Sequence, residues 1–252
     1  MQMIYGHPKS LRPIQTKYCP GCGHGVIHRL IAEVIDELGV QERSILHNPV
    51  GCSIWADLYF DFDSIQVPHG RTPAGATGAK RMRPDHLVIC YQGDGDLAAI
   101  GTAEIVHAAN RGEKFTTIFV NNAIYGMTGG QMAPTTLIGQ KATTAPHGRD
   151  PDTAGMGYPI RVCEMLATLA GTKYIARGSV DSAPNVRKTK QYIKRAFEAQ
   201  LRGEGFTMVE ILSPCATNWQ MSATEAVDWV ASDMIPFYKL GEIKNELAGV
   251  AT

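Results

Sequence analysis

Two residues in this chain stand where a hard cation could be held. Gly93-Asp94-Gly95-Asp96 follows a strand-like run at 87–91, and Asn121-Asn122 closes a second apolar run at 115–121. Asp94 and Asn122 lie 28 positions apart, the length of one helix plus one strand. In a parallel sheet that spacing brings the two side chains together at the carboxyl ends of neighbouring strands. A carboxylate beside an amide oxygen suits a divalent cation such as Mg²⁺, which in turn holds a diphosphate. Gly93 and Gly95 let the backbone approach phosphate closely. Asp96 is placed to cap the following helix, whose N-terminus favours anions. A bare Gly-Asp-Gly reads equally well as a tight strand-to-helix turn. Specificity comes from the whole constellation, which continues through Tyr125-Gly126-Met127-Thr128-Gly129-Gly130-Gln131.

The chain has six cysteines. Cys19-Pro20-Gly21-Cys22 is a C-x-x-C, compatible with a redox pair, half a zinc site or part of a cluster site. Cys52 and Cys215 also sit in turns, beside Gly51 and Pro214. Loop cysteines at sheet ends can converge on one centre, and four thiolates match either a structural zinc or an iron–sulfur cluster. Zinc sites favour two close pairs, whereas only one pair here is close. A [4Fe–4S] cube accommodates scattered ligands more readily. Cys90 falls in a strand and Cys163 in a helix, where each reads as a small buried hydrophobe.

The elements that must position these groups alternate strand and helix. An apolar stripe at helical spacing runs from Gly25 to Leu38, and Gly39 stops it. Short strands are expected at 44–47 and 65–68. Thr72 is placed to cap a helix over 73–82. Continuous apolar runs at 87–91 and 115–121 have the pattern of buried parallel strands, with a helix over 97–110 between them. The stretch from 126 to about 161 is rich in Gly, Pro and Thr; a loop of that length in a compact domain is commonly functional. A helix at 162–170, a strand at 174–177, a basic amphipathic helix at 184–201 and a strand at 206–212 follow. The tail over 223–240 packs on the domain or on a partner. This alternation argues for a doubly wound α/β parallel sheet with helices on both faces, as one domain over 1–252. Ligands of such sheets sit beyond the carboxyl ends of the strands, where Asp94, Asn122, His69 and Cys215 all fall.

Composition narrows the partners. The 252 residues are 44% hydrophobic and 19% charged, with zero formal net charge. Nothing in that balance points to nucleic acid or a membrane surface. No apolar run reaches the roughly 18 residues of a membrane span, and the stretch 1–18 lacks a signal's apolar core. A cytoplasmic protein is expected, so the cysteines need a role other than structural disulfides.

Taken together, these motifs resemble the β subunit of the 2-oxoacid:ferredoxin oxidoreductases. The likeness runs from Tyr18-Cys19-Pro20-Gly21-Cys22-Gly23 through His69-Gly70-Arg71, Gly93-Asp94-Gly95-Asp96 and 121–131 to Ser213-Pro214-Cys215. Gly-Asp-Gly followed about thirty residues later by Asn-Asn is the family's thiamine diphosphate signature. The resemblance implies the diphosphate-binding half of a thiamine diphosphate fold. Cys19, Cys22, Cys52 and Cys215 match the ligands of a [4Fe–4S] cluster. Asp94, Asn122 and the Ile124 carbonyl match the Mg²⁺ ligands. Gly51, Cys52, Ser53, His69, Gly93, Gly95, Asp96, Gly126, Met127 and Thr128 match positions around the cofactor, with His69 and Met127 nearest the chemistry. His69 reads equally as a neutral histidine closing a turn.

The same resemblance implies partners: an α subunit supplying the aminopyrimidine half of the cofactor site with an activating glutamate, γ and ferredoxin-like δ subunits, ferredoxin, and coenzyme A. The chain length leaves no room for a second thiamine domain, so the chain is expected to be inactive alone. Two residues depart from common family patterns. Members acting on pyruvate often carry Asn at the place of Met127, so an apolar Met favours a larger, branched-chain acid such as 2-oxoisovalerate. Some carry Lys at the place of Gly129, a residue tied to coenzyme A. The competing substrate is 2-oxoglutarate, for whose distal carboxylate Arg71 is a candidate partner. A non-oxidative thiamine decarboxylase or synthase leaves the turn cysteines unexplained. A zinc-stabilised assembly protein leaves the Asp94–Asn122 pairing unexplained.

Overall fold

The computed structural model describes residues 6–153 and 155–248. Both ends of the domain expected over 1–252, including the start of the stretch examined for a signal, lie outside the described residues. Seven strands form one sheet: β1 Ser44–Asn48, β2 Asp63–Gln66, β3 Leu87–Gly93, β4 Thr116–Asn121, β5 Thr172–Ser179, β6 Phe206–Leu212 and β7 Gly241–Asn245. Their spatial order is β2-β1-β3-β4-β6-β5-β7. Every pairing is parallel except β5 with β7, which is antiparallel. The expected parallel sheet is present, with one antiparallel strand added at its edge. Five polar-rich residues in a tail gave no strand signal; pairing to Tyr174, Ile175, Ala176 and Arg177 supplies it.

Helices cover both faces. On one, α1 (His24–Leu38) and α6 (Ala183–Leu201) pack Ile27, Ile31, Ile35, Ile193 and Phe197 against Leu87, Ile89, Tyr91, Ile118 and Val120. On the other, α3 (Thr72–Met82), α4 (Thr102–Asn110) and α5 (Val162–Ala167) cover Val88, Cys90, Phe119 and Met208. (The short α2, Ala56–Tyr59, precedes β2.) Alternate residues of β3 and β4 therefore face opposite cores, which is why these strands read as unbroken apolar runs. Each fully buried aliphatic side chain of α1 contributes about 1.5–3 kcal/mol. Gly39 ends α1 in the left-handed conformation, its N–H bonded to the Asp36 carbonyl. Val26, read as part of the stripe, is instead exposed.

The helix expected over 97–110 is broken. Asp96–Ile100 forms a π-turn, closed by Gly101 N–H to the Asp96 carbonyl at 2.9 Å. A Cβ on Gly101 would lie 2.8 Å from the Gly70 carbonyl, so the break lets the 69–71 turn pack tightly there. The basic helix α6 is no bare cationic face. Lys190 bridges Glu33 and Glu37, Lys194 bridges Glu37, and Arg195 bridges Glu242.

Among its described residues the long segment between β4 and α5 has no helix or strand, yet they are tied down. Buried Arg149 donates to the carbonyls of Ala133, Pro134, Thr136, Met156, Gly157 and Tyr158. Ile124, Leu137, Ala142 and Ala145 pack with Trp219, Val230, Met234 and Tyr238 of the C-terminal segment. That segment therefore closes over the loop. Among the described residues no helix is long and apolar enough to cross a membrane.

Candidate active site

The strand order reverses direction between β1 and β3, and a ligand crevice opens at the carboxyl ends beside such a switch. Gly93 ends β3 there and Asn121 ends β4. Asp94 is buried. Its Oδ1 accepts the Gly95 N–H at 2.9 Å, and its Oδ2 accepts the Ile124 N–H at 3.1 Å and the Thr135 hydroxyl at 2.8 Å. Burial pushes the Asp94 carboxyl up to about 7, against the pull of those donors. An ionised Asp94 therefore needs a further positive partner.

That partner can be a cation shared with the next strand. Ala123 takes φ 55, unusual for a side-chain-bearing residue, and so turns the chain sharply after Asn122. The Asn122 side-chain oxygen then lies 2.7 Å from the Ile124 carbonyl oxygen and 3.2 Å from Asp94 Oδ2, and only a turned-over amide could donate to both. With the oxygen kept there, where it also accepts the Ile124 N–H at 3.3 Å, a cation among the three acceptors relieves their repulsion; the turned-over amide relieves it in the cation's absence. Octahedral Mg²⁺ at about 2.0–2.1 Å from its ligands separates neighbouring ligand oxygens by about 2.9 Å, between the two spacings seen. The donor set fits the ion.

Asp96 does not cap the helix after it, and Thr72 does not cap α3; neither N-terminus has a side-chain cap. The Asp96 carboxylate is turned instead toward the 69–72 turn. Its Oδ1 accepts His69 Nδ1–H at 2.5 Å and the Gly70 N–H at 2.7 Å, while Oδ2 accepts from Gln92 at 2.6 Å and Thr72 at 3.4 Å. A carboxylate on Nδ1 fixes the imidazole tautomer and leaves Nε2 as the nitrogen available to a ligand.

A cavity of about 330 Å³ lies between these groups. Gly51, Cys52, Ser53, His69, Gly93, Asp94, Gly95, Asp96, Asn122, Ile124, Gly126, Met127 and Thr128 all line it. Residues that the sequence did not single out line it too: His24, Val50, Ala99, Ile100, Val120 and Tyr125. His24 was hidden at the start of an apolar helical stripe. Ile100 reaches the cavity only because of the π-turn. Thr135 and Asn218 act on the site from irregular or short elements that carry no periodic signal. No Lys or Arg lines the cavity among the described residues. Arg71, a candidate partner for a distal carboxylate, is engaged by Glu104 and stands outside it.

Cys19, Cys22, Cys52 and Cys215 are all free thiols beside this cavity's Cys52 wall. Burial pushes Cys22 up to about 12 and Cys52 up to about 11, and burial also raises Cys215. Charge repulsion among these cysteines adds to the shifts of Cys22, Cys52 and Cys215. Yet among the described residues no three His, Cys, Asp or Glu side chains stand close enough to hold one metal ion. Tetrahedral zinc, with Zn–S of about 2.3 Å, needs its sulfurs about 3.8 Å apart. A cube takes one thiolate at each iron corner and so spreads its ligands more widely. Four free thiols are the donor set that a cube takes. Asn218 donates to Cys215 Sγ at 3.3 Å and to the Gly126 carbonyl at 2.9 Å, tying the cysteine turn to the cavity wall. A Cβ on Gly126 would lie 3.3 Å from Cys52 Sγ, so glycine allows that close passage.

Comparison with known proteins follows the same lines. A family model described as the thiamine pyrophosphate enzyme C-terminal TPP binding domain matches residues 50–211. A ketoisovalerate oxidoreductase subunit VorA from Methanothermobacter marburgensis is 52% identical over 222 residues, covering 88% of this chain and 46% of the relative. A 2-oxoglutarate synthase subunit KorB from Methanocaldococcus jannaschii is 37% identical over 227 residues, covering 90% of this chain and 78% of the relative. A solved 2-oxoglutarate:ferredoxin oxidoreductase from Magnetococcus marinus, with 2-oxoglutarate, coenzyme A and succinyl-CoA bound, superposes with a TM-score of 0.80 at 28% identity, covering 97% of this chain and 86% of that one. The chain spans about half the length of the ketoisovalerate relatives it matches.

Proposed function

Because this chain belongs to the β-subunit family of the 2-oxoacid:ferredoxin oxidoreductases and has its thiamine diphosphate-binding fold, we propose that it serves oxidative decarboxylation of a branched 2-oxoacid. The products are an acyl-CoA and carbon dioxide, and two electrons pass singly through a [4Fe–4S] cluster to ferredoxin. When bound, thiamine diphosphate supplies the carbanion that attacks the keto carbon and the ring that accepts the electron pair as carbon dioxide leaves, and the cluster accepts the electrons.

The chain's own residues position and exclude. Asp94, Asn122 and the Ile124 carbonyl would hold Mg²⁺, and Cys19, Cys22, Cys52 and Cys215 the cluster. Among the described residues no Lys or Arg lines the cavity, so the diphosphate's charge would fall to that ion and to backbone N–H groups of the surrounding turns. Asp96 orients His69 so that Nε2 can meet a polar group of the cofactor or substrate. Val50, Ile100 and Met127 line the cavity and remain partly exposed, as does Trp55 beside it. An open apolar mouth supports a second chain closing the site with the aminopyrimidine half and its glutamate. Coenzyme A would enter from the same side, without a lysine at Gly129.

One observation carries the substrate: Met127, Ile100 and Val50 line the cavity, and among the described residues no Lys or Arg does. A branched alkyl group packs there, and a distal carboxylate would need its cation from another chain. The likeness to the ketoisovalerate subunit points the same way. The 2-oxoglutarate reading, favoured by the KorB relatives, loses its candidate in this chain because Arg71 is engaged. The test is viologen reduction by the anaerobically purified assembly, given coenzyme A with 2-oxoisovalerate, pyruvate or 2-oxoglutarate. We expect higher kcat/KM for 2-oxoisovalerate than for pyruvate by at least about 10-fold, since one buried methylene alone is worth about 10–200-fold in a pocket. Met127→Asn should narrow the ratio. A parent enzyme that prefers pyruvate would overturn the reading, and one that prefers 2-oxoglutarate would install the alternative.

A further inference from the structure

The turn carrying Asn122 and Ile124 has no helix or strand hydrogen bonds of its own to hold Ala123 at positive φ. Thr136 and Gln140 donate to the Ala123 carbonyl and Trp219 to the Asn122 carbonyl, while the Ala123 N–H is taken by the Asn121 side chain, whose Oδ1 accepts it at 3.0 Å. An amide can present either end, and the end it presents here is set from behind. Asn121 Nδ2 donates to Glu210 Oε1 at 2.7 Å. Glu210 is itself buried, and its other oxygen accepts Arg177 Nε–H at 2.7 Å and the Cys163 thiol at 2.9 Å. Arg177 is fully buried and also donates to both oxygens of Glu164, at 3.0 and 2.7 Å.

A second arm starts from the same guanidinium. Arg177 lies 5.3 Å from the ring centre of Tyr238. The Tyr238 hydroxyl donates to the Thr135 carbonyl at 2.7 Å, and the Thr135 hydroxyl donates to Asp94 Oδ2. Both sides of the three-oxygen cluster thus trace back to one buried cation on β5. A buried ion pair is a poor way to gain stability, since an apolar pair of equal volume commonly does as well or better. Its use here is orientation. Glu210 offers only acceptors, so Asn121 must turn its nitrogen to it and its oxygen to Ala123.

We propose that Glu210, set by Arg177, is a positioning residue for the cation site: it fixes the Asn121 amide, which fixes the left-handed turn at Ala123, which aims the Asn122 and Ile124 oxygens at Asp94. This rests on the reading of Asp94, Asn122 and Ile124 as the ion's ligands. Glutamine at 210 breaks one link or the other: with its oxygen toward Asn121, its nitrogen opposes the Arg177 Nε–H and the ion pair is lost. With its oxygen toward Arg177, its nitrogen opposes Asn121 Nδ2; if Asn121 then turns over, the bond to Ala123 is lost.

The experiment titrates Mn²⁺ into the intact assembly with thiamine diphosphate present, reading free Mn²⁺ by its EPR signal, for the parent, Glu210→Gln, Asn121→Ala and Asp94→Ala. Loss of an outlying partner of this kind typically weakens metal binding about 10–100-fold. We expect that loss in Glu210→Gln and in Asn121→Ala, with activity restored at saturating Mn²⁺, a rescue that merely impaired folding would not allow. Should Glu210→Gln not fold, Asn121→Ala decides, because it leaves the Arg177–Glu210 pair intact. Unchanged Mn²⁺ affinity in the folded variants, with Asp94→Ala defective, overturns the positioning role alone. Unchanged affinity in Asp94→Ala overturns the ligand assignment beneath it.

Discussion

Replacing Asp94 by Asn should leave the metal-free chain more stable at alkaline pH than the parent, although it removes the charged ligand of the cation site. Burial lifts the Asp94 carboxyl from 3.8 to about 7. A group whose folded pKa exceeds its unfolded pKa stabilises the fold below the unfolded value, and that stability is lost as pH rises through the folded value. A rise of about 3 units at about 1.36 kcal/mol each puts the burden of an ionised Asp94 at about 4 kcal/mol above pH 8. Asparagine removes that burden but places an NH₂ against the Gly95 N–H, which costs about 1–3 kcal/mol. The variant should therefore gain about 1–3 kcal/mol at pH 8. Buried His24, His28 and His47, all held below their usual pKa by burial, act in the opposite sense: they gain stability as pH rises toward 6.5, and the gain levels off above it. They cancel in the difference between parent and variant. That difference should change by about 1.4 kcal/mol between pH 6 and pH 8, with the parent losing ground. Urea unfolding in EDTA at pH 6, 7 and 8 measures it. A flat difference, or a variant less stable than the parent at pH 8, would refute the reasoning.

Two further outcomes can be checked on the same preparations. Anaerobic protein should carry about four irons per chain; Cys215→Ser should lose or degrade the cluster, while Cys90→Ala, remote in the core, should keep its iron, and stoichiometric zinc without iron would reject the cluster. Arg149→Leu strips the donor from the buried carbonyls of Ala133 and Thr136; at about 1–3 kcal/mol for each, it should destabilise the chain by about 2–6 kcal/mol and open the 132–160 segment to proteolysis. Lysine there, with fewer donors, should recover only part, and an unaltered digestion pattern in the leucine variant would dismiss Arg149 as the organiser of that segment.

Residues with a local signature were legible in the sequence. β3 and β4 showed as unbroken apolar runs because both faces of each strand are covered. Asp94 and Asn122 showed because glycines and a second Asn flank them. Residues whose role is to hold others were not legible. Arg149, Thr135 and Asn218 meet backbone or side chains far away in sequence, and no period or spacing announces such contacts. Arg177 and Glu210 looked like polar interruptions of strands. β7 was missed because an edge strand with one exposed face needs little apolar character, and the π-turn at Asp96–Ile100 because its cause lies in the 69–71 turn rather than in its own residues. The misreading of Asp96 has the same origin: a carboxylate at a helix start suits a cap, but tertiary contacts with His69 and Gly70 took it.

The strand order also sets a timetable for biosynthesis. β6 lies between β4 and β5 in space but follows both in the chain. While the polypeptide is still being made, β5 has no neighbour on the sheet side to join, although β2, β1, β3 and β4 can already assemble. At about 5–20 residues per second, several seconds separate the emergence of Asn122 from that of Glu210. A nascent chain in that interval displays Asp94 and Asn122 without the carboxylate that aims them. The proposed aiming contact from Glu210 is thus available only after β6 has joined the sheet.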